Sequence, residues 1–316
     1  MTISKLLTAP LTVIVGITGR QGGSVARALI ASEKPYRLRG LSRDITKPAA
    51  QKFAEQGVEM VSVDLRADKP EDALKAFAGA EIAFAMTNWN EYRDGAKEAA
   101  VGKMLVDTAK TTGVKLLVWS ALESFTELTN GRFSLAQFCD SKAEVTAYAR
   151  ASGVPLAIAM PGFGAFNIPI AHYALKRQED GSYLFTLPIS GATRVPLSDT
   201  AHDFGLYVQA AIESPALGPG SEVRAGRIIS LDEIVAQFAQ VSGKKIVYKQ
   251  VDRESWIEGF APPVKFLGPI LGDMFQTFEA AGFFGPKLPT DEHILARKPR
   301  SWLEALEATP KELLPA

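Results

Sequence analysis

One stretch decides what the rest of this chain can become. Leu11–Val15 (LTVIV) is a short apolar, β-branched run of the kind that lies fully buried in a parallel sheet. Gly16-Ile17-Thr18-Gly19-Arg20-Gln21-Gly22-Gly23 follows at once, and Ser24–Ile30 then has helical spacing, with Val25, Ala26, Leu29 and Ile30 on one side. A strand, a glycine turn and a helix in direct succession form the context that a dinucleotide fingerprint needs. Gly16 suits the tight turn, Gly19 lets backbone approach a pyrophosphate, and Gly22 lets the helix lie close to the sheet. The helix N-terminus offers unpaired N–H groups and partial positive charge to the phosphates. The spacing is G-x-x-G-x-x-G, so the flanking strand and helix carry the reading more than the glycines do.

The following residues repeat the strand–helix alternation. Strands are expected at Tyr36–Ser42, Val58–Val63, Ile82–Met86, Val114–Trp119 and Leu156–Met160. Helices are expected at Ala49–Gln56, Glu71–Phe77, Glu91–Thr112 and Ser141–Ser152. This pattern predicts an α/β fold with a Rossmann-type, doubly wound parallel sheet and helices on both faces. Ligands then bind beyond the carboxyl ends of the strands. After Phe163 the clean period is lost up to Ile189. A short strand at Arg194–Leu197 precedes a helix capped by Ser198 or Asp199 and running to Ile212. Ser230 and Glu233 form a capping-box pattern for a helix through Val241 that Gly243 ends, and Lys245–Val251 reads as a strand. The expected organisation is a nucleotide-binding domain over residues 1–165, to which 194–213 returns, and a smaller, discontinuous α+β C-terminal lobe over 166–316 that binds a substrate or a partner.

The composition narrows the partners. Lys plus Arg balances Asp plus Glu at 35 each, which gives no global attraction to nucleic acid or to anionic membrane. The single cysteine, Cys139, excludes an intrachain disulfide and suits a reducing compartment. No apolar run reaches membrane-spanning length, and Met1–Pro10 is too short and too weakly basic for a secretory signal. The cytoplasm is the expected location, with the nucleus as the alternative for a regulator. The three histidines are scattered, so no metal site is expected, and neither a G-x-S-x-G nor a Walker A motif occurs.

Cofactor choice is written at the end of the second strand. An acidic residue there bonds a ribose 2′-hydroxyl, whereas an arginine accommodates a 2′-phosphate. Here Ser42-Arg43 ends the strand, Arg20 sits in the glycine loop and Lys47 stands nearby, which favours NADP(H). Asp44 keeps NAD(H) open as the alternative. Asp64 either bonds the adenine amine together with the Leu65 backbone or caps a helix. Thr87 and Asn88, at the end of the fourth strand, complete the expected cofactor contacts on that side.

Gly16–Gly23, Ser42-Arg43, Asp64, Ser120 and Ser141-Lys142-Ala143-Glu144-Val145 together resemble the NmrA-like family, atypical members of the short-chain dehydrogenase/reductase superfamily. The resemblance spans most of the chain from Thr12 onward. It implies an NADP-preferring Rossmann domain with a small C-terminal lobe. It also implies one of two activities. Some members look like redox-sensing regulators that hold NAD(P) without turning it over, and relatives of the isoflavone- and quinone-reductase type reduce substrates with NADPH. Typical superfamily enzymes use Ser, Tyr and Lys, with Tyr-x-x-x-Lys on one helix, the tyrosine as proton donor. Ser120 matches the serine and Lys142 the lysine, but Phe138 stands at the tyrosine position, and a phenyl ring has no proton to give. Tyr148 and Tyr173 are misplaced for the role, and His172 and His202 are the remaining substitutes.

Two chemistries remain. In one, Lys142 orients the nicotinamide ribose and polarises or protonates a substrate, with solvent as the proton source. In the other it only anchors the cofactor, and the protein reports the cofactor's state to a partner protein. Pro161, Gly162 and Phe163 are expected beside the nicotinamide, and Trp89, Phe138, Phe163, Phe166 and Asn167 around a flat pocket that suits a quinone, enone or imine. The oligomeric state is not legible.

Overall fold

The computed structural model describes residues 8–164, 174–290 and 292–309. Its centre is a seven-stranded sheet. The strands are β1 (Leu11–Val15), β2 (Arg37–Ser42), β3 (Glu59–Ser62), β4 (Ile82–Ala85), β5 (Leu116–Ser120), β6 (Leu156–Met160) and, much later in the chain, Glu222–Arg224. All pairings are parallel, and β1 lies between β2 and β4, with Val13 opposite Arg39 on one side and Ala83 on the other. The chain winds outward from β1 to β3, then returns and winds the other way through β4, β5 and β6. The order therefore reverses between β1 and β4, and the crevice beyond their carboxyl ends is where such sheets bind ligands. β1, β5 and β6 are buried along their whole length, as their unbroken apolar runs require.

Helices cover both faces. On one lie α1 (Arg20–Ala31) and the later helix Thr200–Glu213, packed closely along each other; Ser24 Oγ accepts the Gly205 N–H at 2.9 Å. Ile14, Phe84, Phe204 and Tyr207 fill the space beneath them. α2 (Pro48–Glu55) packs on the same side through Phe53. On the opposite face α3 (Pro70–Phe77) and the longer helices that follow bury Phe77, Leu105 and Trp119.

One expected helix is two. Residues 91–112 divide into α4 (Trp89–Tyr92) and α5 (Gly95–Thr111). Arg93 takes a left-handed conformation at φ 48°, and the Asp94 carboxylate accepts the Lys97 N–H at 3.0 Å as the N-cap of α5. The next helices are α6 (Phe125–Leu128) and α7 (Gln137–Ser152), which starts earlier than its apolar spacing indicates.

The C-terminal half adds two three-stranded sheets. In one, Arg194–Ser198 pairs in parallel with Phe163–Gly164 and antiparallel with Arg227–Ser230. In the other, Tyr183–Leu187 lies between Leu175–Arg177 and Ile246–Gln250. These strands account for much of the region after Phe163 that shows no clean period. The Ser230/Glu233 capping box opens the helix Leu231–Ser242, and Gly243 ends it in the left-handed region at φ 66°. The helix Leu267–Ala281 gathers the aromatic residues of the tail. Phe275 and Phe278 meet Phe163 edge-to-face, and Phe278 also meets Phe125 and Phe283. Such contacts add about 0.5–1.5 kcal/mol each beyond area burial.

Candidate cofactor and substrate site

A cavity of about 850 Å³ opens at the carboxyl ends of β1 and β4 and runs from the glycine loop to the helix Leu267–Ala281. The loop makes its floor. Gly16 sits at φ 67°, and its carbonyl accepts the Gly19 N–H at 2.8 Å. A Cβ at Gly22 would stand 2.4 Å from that same carbonyl oxygen, so only glycine allows α1 to start against the turn. α1 begins at Arg20 with no side chain capping its first N–H groups, and Thr18, Gly19, Arg20 and Gln21 line the cavity there. This is the backbone arrangement that holds phosphate.

Charge collects at the β2 end. Ser42, Arg43, Asp44 and Lys47 line the cavity beside Arg20. The Asp44 carboxylate is turned onto its own loop, where it accepts from Thr46 Oγ1 at 2.6 Å and from Thr46 N–H at 2.9 Å. Those bonds hold its carboxyl below the usual range. Both bonds fall on Oδ1, which ties the Asp44 side chain to its own loop. Arg43 pairs with Glu91 of α4 at 3.2 Å. Asp64 and Leu65 form the next part of the wall, and Tyr92 donates a long bond of 3.5 Å to the Leu65 carbonyl.

Along the β4 side, Thr87, Asn88, Pro161, Gly162 and Phe163 line the cavity as expected from their strand ends. Gly162 has a packing reason of its own. A Cβ there would meet the carbonyl oxygens of Pro196 at 2.3 Å and Ala225 at 2.4 Å. The far end is apolar: Leu122, Phe138, Phe163, Leu271, Met274 and Phe283. Trp89 reaches this end only through Phe138, against which it packs at 6.1 Å between ring centroids. Phe166, Asn167, His172 and Tyr173 lie outside the described residues.

The two residues expected to do chemistry are not among the cavity's described walls. Ser120 is buried and donates to Gln21 Oε1 at 2.7 Å, which fixes the first turn of α1 to the end of β5. Lys142 Nζ donates to Glu98 Oε1 at 2.6 Å and to the Phe138 carbonyl at 3.3 Å. Glu98 is fully buried and also accepts from Thr87 Oγ1 at 2.8 Å and from Ser141 Oγ at 2.5 Å. The amine is thus held inside a closed network. The physical reason is that a buried carboxylate needs a counter-charge, and Lys142 supplies it.

Glu98 escaped the sequence reading, yet a signal was present. It occupies the same apolar stripe of α5 as Val101 and Leu105, where a charged residue demands a partner. His202 is not among the cavity's described walls and meets Asp203 and Arg297. Asp199, His202 and Asp203 converge there, but Arg297 and Arg300 donate to the two carboxylates, so the cluster ties the chain's tail to the helix Thr200–Glu213. Tyr148 is bonded to Asp107 on the surface. Among the described residues, no helix is long and apolar enough to cross a membrane.

A family model described as the NmrA-like family matches residues 9–308. The chain belongs to that family. Among the NmrA-like relatives, an oxidoreductase of the family from Penicillium ochrochloron, ptmS, is 30% identical over 77% of this chain and 76% of its own length. Another from Cladobotryum sp., FrzB, is 32% identical over 75% of each chain. Among solved structures, NmrA, a negative transcriptional regulator, in complex with NADP aligns with a TM-score of 0.77 at 18% identity, over 95% of both chains. An NADPH-dependent quinone oxidoreductase from Escherichia coli, in complex with NADPH, aligns with a TM-score of 0.73 at 16% identity, over 94% of this chain and 98% of that one. These structural likenesses establish the NmrA-type Rossmann fold.

Proposed function

We propose that this NmrA-like protein is an NADPH-dependent oxidoreductase that reduces a small, planar, apolar electrophile such as a quinone, enone or imine. One observation carries the reading. A single cavity joins a cationic, phosphate-suited loop to an apolar chamber lined by Phe138, Phe163, Leu271, Met274 and Phe283. In this reading the first turn of α1 holds the pyrophosphate, and Arg20, Arg43 and Lys47 face the 2′-phosphate. Asp64 and Leu65 take the adenine, and Thr87, Asn88 and Pro161–Phe163 flank the nicotinamide. NADP(H) is the preferred cofactor and NAD(H) the weaker one. The residues fit such a group because α1 starts uncapped beneath a turn that only glycine permits. When bound, the reduced nicotinamide supplies a hydride.

The chain's own residues supply position and polarity. Phe138 and Phe163 offer flat faces against which a planar ring packs and from which water is excluded. The proton that completes the reduction comes from solvent, because Phe138 stands where a proton-donating tyrosine would. Addition to a quinone or enone suits such a site, since the anion formed is delocalised and needs little acid assistance. Lys142 acts here as a positioning cation, fixed by Glu98 beside Thr87, and not as the proton donor. The relatives at about a third identity that are named oxidoreductases support this reading.

The alternative is a regulator that holds NADP without turnover and docks on a partner protein. Phe138 and the closed Lys142–Glu98 pair favour it. Absorbance at the NADPH band, followed with a panel of quinones, enones and imines, separates the two. Turnover of at least one of them is expected. No turnover on any, with NADPH still bound at micromolar concentration, sinks the enzyme reading and leaves the regulator.

A further inference from the structure

The residue facing Arg43 belongs to neither the glycine loop nor the strand end. α4 is one short turn, closed by the left-handed Arg93 and anchored at three points. Trp89 packs on Phe138, Tyr92 reaches the Leu65 carbonyl, and Glu91 Oε2 lies 3.2 Å from Arg43 Nη1. The carboxylate is thus delivered by a held segment, and its side chain is less exposed, at 28%, than that of Arg43, at 63%. It lies in the wall of the cavity, beside the guanidinium that a 2′-phosphate would need. Asp44 is held differently, with its Oδ1 on Thr46.

Resting on the NADP reading above, we infer that Glu91 is a specificity-determining residue that competes with the cofactor's 2′-phosphate for Arg43. A neutral 2′-hydroxyl leaves the Arg43–Glu91 pair in place. A 2′-phosphate brings close to two negative charges beside a carboxylate, and Arg43 must turn from one anion to the other. Glu91 therefore weakens NADP(H) and is indifferent to NAD(H), so the site discriminates less than its cations alone would. The same helical turn carries Trp89 onto Phe138, so the exchange at Arg43 acts on a segment that also borders the substrate end.

The test is direct titration of NADPH and of NADH into the wild-type protein, Glu91→Gln, Arg43→Met and the double variant. An exposed pair of this kind shifts affinity by roughly fivefold. Glu91→Gln is expected to tighten NADPH by about that factor, to leave NADH within about twofold, and to have a smaller effect on NADPH when Arg43 is already Met. The inference is overturned if Glu91→Gln weakens NADPH, if it moves both cofactors alike, or if its effect is undiminished without Arg43. The underlying NADP reading fails separately: wild type would then bind both cofactors equally and Arg43→Met would alter neither.

Discussion

At the β2 end of the cavity the walls are backbone amides and formally charged side chains, and nearly all of them come from short runs of chain: Gly16–Gln21, Ser42–Lys47, Asp64–Leu65. At the other end the walls are apolar, and they come from Leu122, Phe138, Phe163, Leu271, Met274 and Phe283, residues far apart in sequence. The first end is organised by local rules, a turn that only glycine permits and a helix that starts without a cap. The second is organised by packing, an aromatic cluster around the helix Leu267–Ala281. Behind the wall lies the buried Glu98, which accepts from Thr87, a cavity residue, and from Lys142 and Ser141. Under the proposed reading, a site divided in this way can change its substrate through packing residues while the cofactor cradle stays the same.

The largest way to break that division is at its junction. Glu98→Ala leaves Lys142 buried without its counter-charge and is expected to cost about 3–5 kcal/mol in urea denaturation. Both ends of the cavity should suffer together, and an unchanged unfolding midpoint would show that the pair is not structural. Phe278→Ala is nearly as severe, at about 3–5 kcal/mol, because Phe278 is 3% exposed and meets four other rings. Its effect should stay at the apolar end, with NADPH affinity held within about twofold; a large loss there would merge the two regions. Gly22→Ala forces a methyl group into the Gly16 carbonyl at a cost of about 1–3 kcal/mol. It is expected to lower NADPH affinity by more than tenfold, since α1 can no longer start in place.

The smallest effect is a titration. Burial first, then the carboxylates of Glu91 and Asp64, push the Tyr92 phenol from 10.0 up to about 12. A folded value above the unfolded one means that the contribution to stability is fully present below pH 10 and is lost as pH rises toward 12. Difference absorbance between wild type and Tyr92→Phe isolates this phenol, and Glu91→Gln should bring its midpoint down. A midpoint at the ordinary tyrosine value would show that the Tyr92 phenol is not covered in the folded chain.

What the sequence disclosed follows the same line. The strand, glycine turn and helix at Leu11–Ala31 were legible because each step depends on neighbours in the chain, and Ser230 with Glu233 was legible for the same reason. The family resemblance added Ser120 and Lys142, but not their surroundings. Whether an amine faces a cavity or a carboxylate depends on α5, a helix remote in sequence, so Glu98 decides what Lys142 does. The break between α4 and α5 was hidden because Arg93 is an ordinary helix former forced to φ 48°. Only Asp94-Gly95 marked it. The strands after Phe163 are short, and Glu222–Arg224 is too brief for any period to show.

That last strand has a consequence for how the protein is made. Until Arg224 has left the ribosome, the growing sheet ends at β6, an apolar strand whose outer backbone groups have no mate; in the finished fold Ile158 N–H donates to Ser221 at 2.9 Å. The helix Thr200–Glu213, which covers α1, arrives only shortly before. Between the synthesis of β6 and that of Glu222–Arg224 the nascent chain therefore presents a bare apolar edge, the kind that recruits another strand. A fragment stopping at residue 165 keeps the whole glycine loop and would still be expected to aggregate, because closure of the sheet is a late event supplied by the other half of the chain.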